Sequence, residues 1–169
     1  MTAFAALLRA VNVGGTGKLP MSELRAMCEA AGFAKVRTYI ASGNVVFESD
    51  LAEAKVKAAL ERALEAYAGA PVGVMVRTGQ EMAAVLAANP FASAPANRTV
   101  AIFLDNPPPD DALGAVKGRQ SEEIALGVRE IYVHYPDGQG TSKLRMPAAR
   151  AGTARNINTV AVLAEWTRR

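Results

Sequence analysis

The residues with chemistry to offer in this sequence are few and mostly basic. His134 is the only histidine and Cys28 the only cysteine. No internal disulfide can form, no second cysteine can share a metal, and no two-histidine metal site can be assembled. A Ser-His-Asp system would have to pass through His134, with Asp137 and Ser142 close by in sequence. A lone histidine on a β-rich run is more simply structural. Cys28 follows Leu24 and Met27 and precedes Ala31 at i, i+3, i+4 and i+7 spacing, the buried stripe of a helix, and reads as a core thiol rather than a nucleophile. Neither a metal nor a cofactor is expected.

Anions are a better match to what remains. Gly14-Gly15-Thr16-Gly17-Lys18 has the wrong spacing for a P-loop, and Leu19 stands where a magnesium-binding hydroxyl is needed. A Rossmann fingerprint fails as well. Backbone N–H groups of a glycine-rich turn ahead of a helix still suit an anion, with Lys18 adding charge, although a plain strand-to-helix turn has the same composition. Arg9 interrupts an apolar run, and Arg37 begins a later β-rich run. In a plait the end of the first strand is expected beside the start of the second, which gathers Arg9, Asn12 and Arg37. Converging guanidiniums suit a phosphate or carboxylate; the alternative is that Arg9 pairs with an acid such as Glu48 or lies on an open sheet face. Gly138-Gln139-Gly140-Thr141-Ser142-Lys143 resembles a second glycine-rich entry to a helix, offering Ser142 and Lys143. Arg155, Asn156 and Asn158 supply donors on an expected loop, or one asparagine caps the helix that follows.

Charge follows the same trend. Up to Thr141 the chain carries 13 Lys plus Arg against 15 Asp plus Glu, and from Ser142 onward 6 against 1. A basic tail attracts acidic ligands, though it also serves as a solvated face. Half of the 169 residues are hydrophobic and 21% are charged, enough apolar surface to offset the entropy of ordering. The apolar stretch Met1 to Val13 is too short to span a bilayer and lacks the pattern of a leader, so a cytoplasmic protein without a membrane partner is expected.

The elements that must position these residues follow from periodicity. Ala3 to Val13 reads as a central strand, with a helix from Pro20 to Ala31. Val36 to Ala41 and Asn44 to Glu48 form a hairpin around Ser42-Gly43. Asp50 and Glu53 suggest a capping box for a helix whose apolar face is Val56, Leu60, Ala63, Leu64 and Tyr67. Val72 to Val76 completes a βαββαβ order, the split plait of ferredoxin-like domains. Thr78 and Glu81 open another helix by a capping box, with Met82, Val85 and Leu86 inward. Thr99 to Leu104, a short helix near Asp110-Asp111, and a hairpin of Glu123–Leu126 with Glu130–Tyr135 repeat the order βαββ. A short helix from Ser142 and a final helix from Asn158 to Trp166 are expected. The fold class is therefore α+β, an α/β plait of two ferredoxin-like-related lobes with mainly antiparallel sheets and C-terminal helices. The lobes span 1–77 and 78–169 and are expected to share one compact body.

Several motifs together resemble a known bacterial family. Leu8-Arg9-Ala10-Val11-Asn12-Val13-Gly14-Gly15 and Arg37-Thr38-Tyr39-Ile40-Ala41-Ser42-Gly43-Asn44-Val45-Val46-Phe47 are similar to the opening of the family called domain of unknown function 1697. Val76-Arg77-Thr78, Asn89-Pro90-Phe91, the stretch from Val133 to Leu144, and that from Thr153 to Val160 resemble it too. Ile157 stands where the family commonly carries Trp. The resemblance implies a compact α/β fold with plait-like sheets and brings no activity. A plait also invites comparison with RNA-binding RRM domains, but Gly43-Asn44-Val45-Val46-Phe47 has one aromatic and no basic lead residue, a poor match.

Three functional classes stand. The leading one is a binding module for an anionic, phosphate-bearing ligand, a nucleotide or nucleic acid included, using Arg9, Asn12, Gly14, Gly15, Lys18, Arg37, Ser142, Lys143, Arg155 and Asn156. The second is a small enzyme acting on such a ligand through His134 with Lys143 or Ser142. The third is a protein-interaction module.

Overall fold

The computed structural model describes residues 1–12 and 17–168, and it divides into two compact units, Met1–Ala83 with Leu163–Arg169, and Ala84–Val162. Gly14 and Gly15 lie outside the described residues. The first unit holds β1 (Thr2–Leu8), α1 (Met21–Ala30), β2 (Ala34–Tyr39), β3 (Asn44–Ser49), α2 (Glu53–Ala68) and β4 (Val74–Thr78). The strands form one antiparallel sheet in the order β2-β3-β1-β4, the plait topology expected from the βαββαβ sequence. β1 is central, and its side chains from Ala3 to Leu8 are all buried rather than alternating.

One face of this sheet carries Phe4, Ala6, Leu8, Val45, Phe47, Val74 and Val76 against the helices, which contribute Leu24 and Cys28 from α1 and Val56, Leu60 and Leu64 from α2. Phe33 and Phe47 stack at 4.3 Å between ring centroids. Two details of α2 differ from the sequence reading. Its N-cap is Ala52, with no side-chain cap, so Asp50 and Glu53 form no capping box. Tyr67 is 47% exposed, because it sits in the last turn, one step beyond the stripe that the sheet covers. The other capping box is present: Thr78 N–H donates to Glu81 Oε1 at 2.9 Å, and Glu81 N–H to Thr78 Oγ1 at 3.2 Å. It opens α3 (Gly79–Ala87).

The second unit repeats the topology with less helix. β5 (Thr99–Phe103), β6 (Glu123–Leu126), β7 (Glu130–His134) and β8 (Thr153–Asn156) form an antiparallel sheet in the order β6-β7-β5-β8, the same plan as the first. Where the first plait crosses over with helices, the second has the 3-10 turns Ala112–Ala115 and Pro147–Ala149. Pro107, Pro108, Pro109 and Pro147 deny those segments the N–H donors of a longer helix. The sheet face is covered instead by Leu144, Met146, Ala148 and Ala149, packed on Val100, Ile102, Ile131 and Val133. The short helix expected from Ser142 is absent, and a 3-10 turn spans Gln139–Thr141. α4 (Ile157–Trp166) closes the chain. The division between units falls inside α3 rather than at residue 77, and the end of α4 belongs to the first unit. Among the described residues, no helix is long and apolar enough to cross a membrane.

Candidate functional site

Strand direction decides which predicted residues meet. β1 and β2 both pair antiparallel with β3, so they run the same way, and the C-terminal end of β1 lies at the C-terminal end of β2. The register aligns Arg37 with Val46 and hence with Ala5, well before Arg9. Arg9 follows the strand instead of interrupting it, is exposed, and lies toward β4, where its N–H donates to the Gly73 carbonyl at 2.9 Å. Arg9 and Arg37 therefore do not converge as expected. Glu48, offered as the alternative partner of Arg9, sits at the far end of β3 and contacts Lys35 at 3.3 Å.

What gathers at this end of the sheet is a pair of loops tied by Asn12. Its side-chain amide donates to the carbonyls of Leu19 at 2.9 Å and Ala41 at 2.7 Å, and its oxygen accepts from Leu19 N–H at 2.8 Å. Three non-glycine residues of these loops have positive φ: Ala10 (57°), Asn12 (55°) and Ile40 (51°). Such backbone costs about 1–2 kcal/mol for a residue with a Cβ. Gly43 (φ 93°) admits no side chain, since a Cβ there would lie 2.6 Å from Val11 Cγ2 and 2.9 Å from Leu8 Cβ. Lys18 is exposed beside the anchor and has no acidic partner among the described residues. Asn12→Ala is expected to lower stability by about 1–3 kcal/mol, the loss of three hydrogen bonds that are not additive. Urea unfolding measures the loss, and amide exchange at Leu19 should accelerate with it.

Arg37 is positioned by the alternation of β2. Val36 packs toward the helices, so Arg37 and Tyr39 face the opposite side of the sheet. There the Arg37 guanidinium lies over the Trp166 ring, 3.5 Å from its centroid, and Tyr39 meets the same ring edge-on at 5.4 Å and 84°. Arg37 is exposed, while Tyr39 and Trp166 are half-buried. Among the described residues no carboxylate or carbonyl takes a hydrogen bond from the Arg37 guanidinium, and neither the Tyr39 hydroxyl nor the Trp166 indole N–H has a partner. Tyr39 and Trp166 were not among the residues singled out from sequence. Arg37 and Tyr39 share a strand face by their spacing, which is a legible signal. That the last turn of α4 reaches them is a tertiary fact no local pattern carries.

In the second unit the predicted residues take different partners. His134 pairs across β6 with Glu123, its Nδ1 3.0 Å from Oε1, and lies near the Phe91 ring at 6.1 Å. The hydroxyl of Ser142 donates to Glu122 Oε2 at 2.5 Å and accepts from Leu144 N–H. Glu122 immediately precedes β6 and acts on Tyr135, which packs in the core with Val133. The Ser142 hydroxyl, followed by the Gln120 N–H, holds the Glu122 carboxyl below its ordinary pKa. Lys143 is exposed, with no acidic partner among the described residues. Arg155 is not on a loop. It is buried on β8 in register with Ala101, and desolvation lowers its pKa to about 10. Asn156 ends the same strand and caps α4, accepting from Thr159 N–H at 3.0 Å.

A family model described as Protein of unknown function (DUF1697) matches residues 1–132. The chain belongs to that family. The matched span holds the whole Asn12-tied loop pair and Arg37, while Trp166 lies beyond it. No curated protein matches the chain. Among solved structures, the conserved bacterial protein SP0830 from Streptococcus pneumoniae is similar over 99% of both chains, with a TM-score of 0.82 and 24% sequence identity. That likeness shows the fold.

Proposed function

We propose that this protein is a binding module for an anionic, phosphate-bearing ligand, and that Arg37 is its principal contact. The observation that carries the reading is the guanidinium lying over the Trp166 ring, 3.5 Å from its centroid, with no ion-pair partner among the described residues. An exposed arginine usually spends side-chain entropy when it binds; one already immobilised on an aromatic face has lost that freedom beforehand. Its rim presents a planar fork of N–H donors that fits two oxygens of a phosphate side by side. Lys18 adds positive charge at the same end of the sheet as Tyr39 and Ala41. The alternative of catalysis by His134 with Ser142 draws less support, because each is engaged by a different carboxylate, Glu123 and Glu122 respectively.

The test is a thermal-shift and calorimetric titration with inorganic phosphate and pyrophosphate, in wild type and Arg37→Met. Wild type should be stabilised as ligand concentration rises, and added salt should weaken binding. Arg37→Met should still fold, with a slightly lowered melting temperature through the lost contact with Trp166, and lose at least tenfold in affinity. Equal binding by the variant, or no binding by wild type, would refute the reading.

A further inference from the structure

We infer that the ligand carries a nucleobase, and that this ring stacks on the outer face of the Arg37 guanidinium to complete a sandwich with Trp166. The inference rests on the anion reading above and adds the chemistry of the ligand's uncharged half. One face of the guanidinium plane is taken by the indole at 3.5 Å. Arg37 is nevertheless exposed, so the plane's other face looks to solvent. A guanidinium plane is a stacking surface for bases equal in kind to an aromatic ring, and clamping it on tryptophan fixes its orientation. Tyr39 packs edge-on against the same indole. An isolated phosphate would use only the rim of this plate and leave its open face wet.

Polar groups around the plate match a heterocycle better than a plain aromatic ring. The Tyr39 hydroxyl and the indole N–H are without partners among the described residues, as are the donors of Arg37 itself. Ring nitrogens and exocyclic oxygens of a base are acceptors for such donors. Arg37 lies two residues before Tyr39, the last residue of β2, and Ala41 sits in the turn that follows. Ala41 is the residue that Asn12 ties to the loop bearing Lys18. A base on Arg37 with phosphate directed along this span meets positive charge at both ends. A free nucleotide and a single-stranded oligonucleotide share this chemistry.

Trp166 is the only tryptophan, so its emission reports the plate directly. The probes are AMP, adenosine, ribose 5-phosphate and a six-residue oligoadenylate, each titrated into the full chain with excitation at the red edge of the indole band. AMP should quench Trp166 and bind at least tenfold more tightly than ribose 5-phosphate. Arg37→Lys should weaken ribose 5-phosphate through the lost fork and AMP by more, so that the tenfold preference disappears, because an ammonium keeps charge without a plane. Ribose 5-phosphate binding as tightly as AMP would overturn the base inference and leave the anion reading standing. Adenosine binding as tightly as AMP would do the converse. Silence from all four probes would overturn both. Oligoadenylate exceeding AMP by more than tenfold supports a strand as the source of the base, and parity supports a free nucleotide.

Discussion

Leu60→Ala should lower the unfolding free energy by about 2–5 kcal/mol, while Tyr67→Ala should change it by less than about 0.5 kcal/mol. The two residues share the apolar side of α2 by sequence, yet their environments differ: Leu60 is 1% exposed in the main core and Tyr67 is 47% exposed. Truncating Leu60 removes methyl groups packed between α2 and the first sheet and leaves a void that neighbours fill only in part. Truncating Tyr67 removes a ring that already meets water. Urea unfolding of both variants checks the pair. A loss at Tyr67 as large as that at Leu60 would mean that the sheet covers one more turn of α2 than its geometry allows.

That contrast illustrates what could be read in the residues beforehand. Period and turn chemistry placed β1 at the centre, the hairpin at Ser42-Gly43, and the Thr78–Glu81 box, because each depends on neighbours a few positions apart. The repeated βαββ order likewise led to two plaits with a common strand plan. β8 escaped notice, since Thr-Ala-Arg-Asn has no alternating apolar pattern and pairs only because β5 offers an edge. Arg155 was consequently placed on a loop when it is buried in a strand, while the cap offered for one of the asparagines is made by Asn156.

The candidate site was legible only in part, and the expected meeting of Arg9 with Arg37 does not form. Arg37, Asn12 and Lys18 were picked out for their chemistry, and Asn12 does tie loops together. The error lay in strand direction. Two antiparallel pairings through β3 make β1 and β2 parallel, which brings Asn12 to Ala41 and leaves Arg37 level with Ala5. Arg37 gains its rigid setting from Trp166, 129 positions away in sequence (166 − 37). Only the fold makes that contact.

Alkaline pH should destabilise the protein earlier than its surface charges would suggest, and Cys28 should be the cause. The thiol is fully buried on α1, and burial, reinforced by the neighbouring Glu29 carboxylate, pushes its pKa from 9.0 to about 12. Below pH 9 folded and unfolded chains both hold the thiol proton, so this group leaves stability independent of pH. Above it the unfolded chain releases a proton that the folded chain keeps, which favours unfolding. The loss grows to about 1.4 kcal/mol at pH 10 and continues at that amount per unit until the folded thiol itself ionises near 12. Tyr132 adds to the trend only above its ordinary 10.0, since burial likewise raises it to about 12. The difference in slope between wild type and Cys28→Ala, measured by urea unfolding between pH 8 and 10, isolates the thiol, since Tyr132 and Arg155 are the same in both chains. Wild type should lose more stability over that interval than Cys28→Ala, which is less stable throughout because it leaves a small void. The native thiol should also resist a thiol-specific disulfide reagent at pH 8 until the chain is unfolded, since the attacking species is the thiolate. An equal slope in Cys28→Ala would assign the alkaline loss to other groups, and rapid native labelling would contradict the burial from which the shift arises.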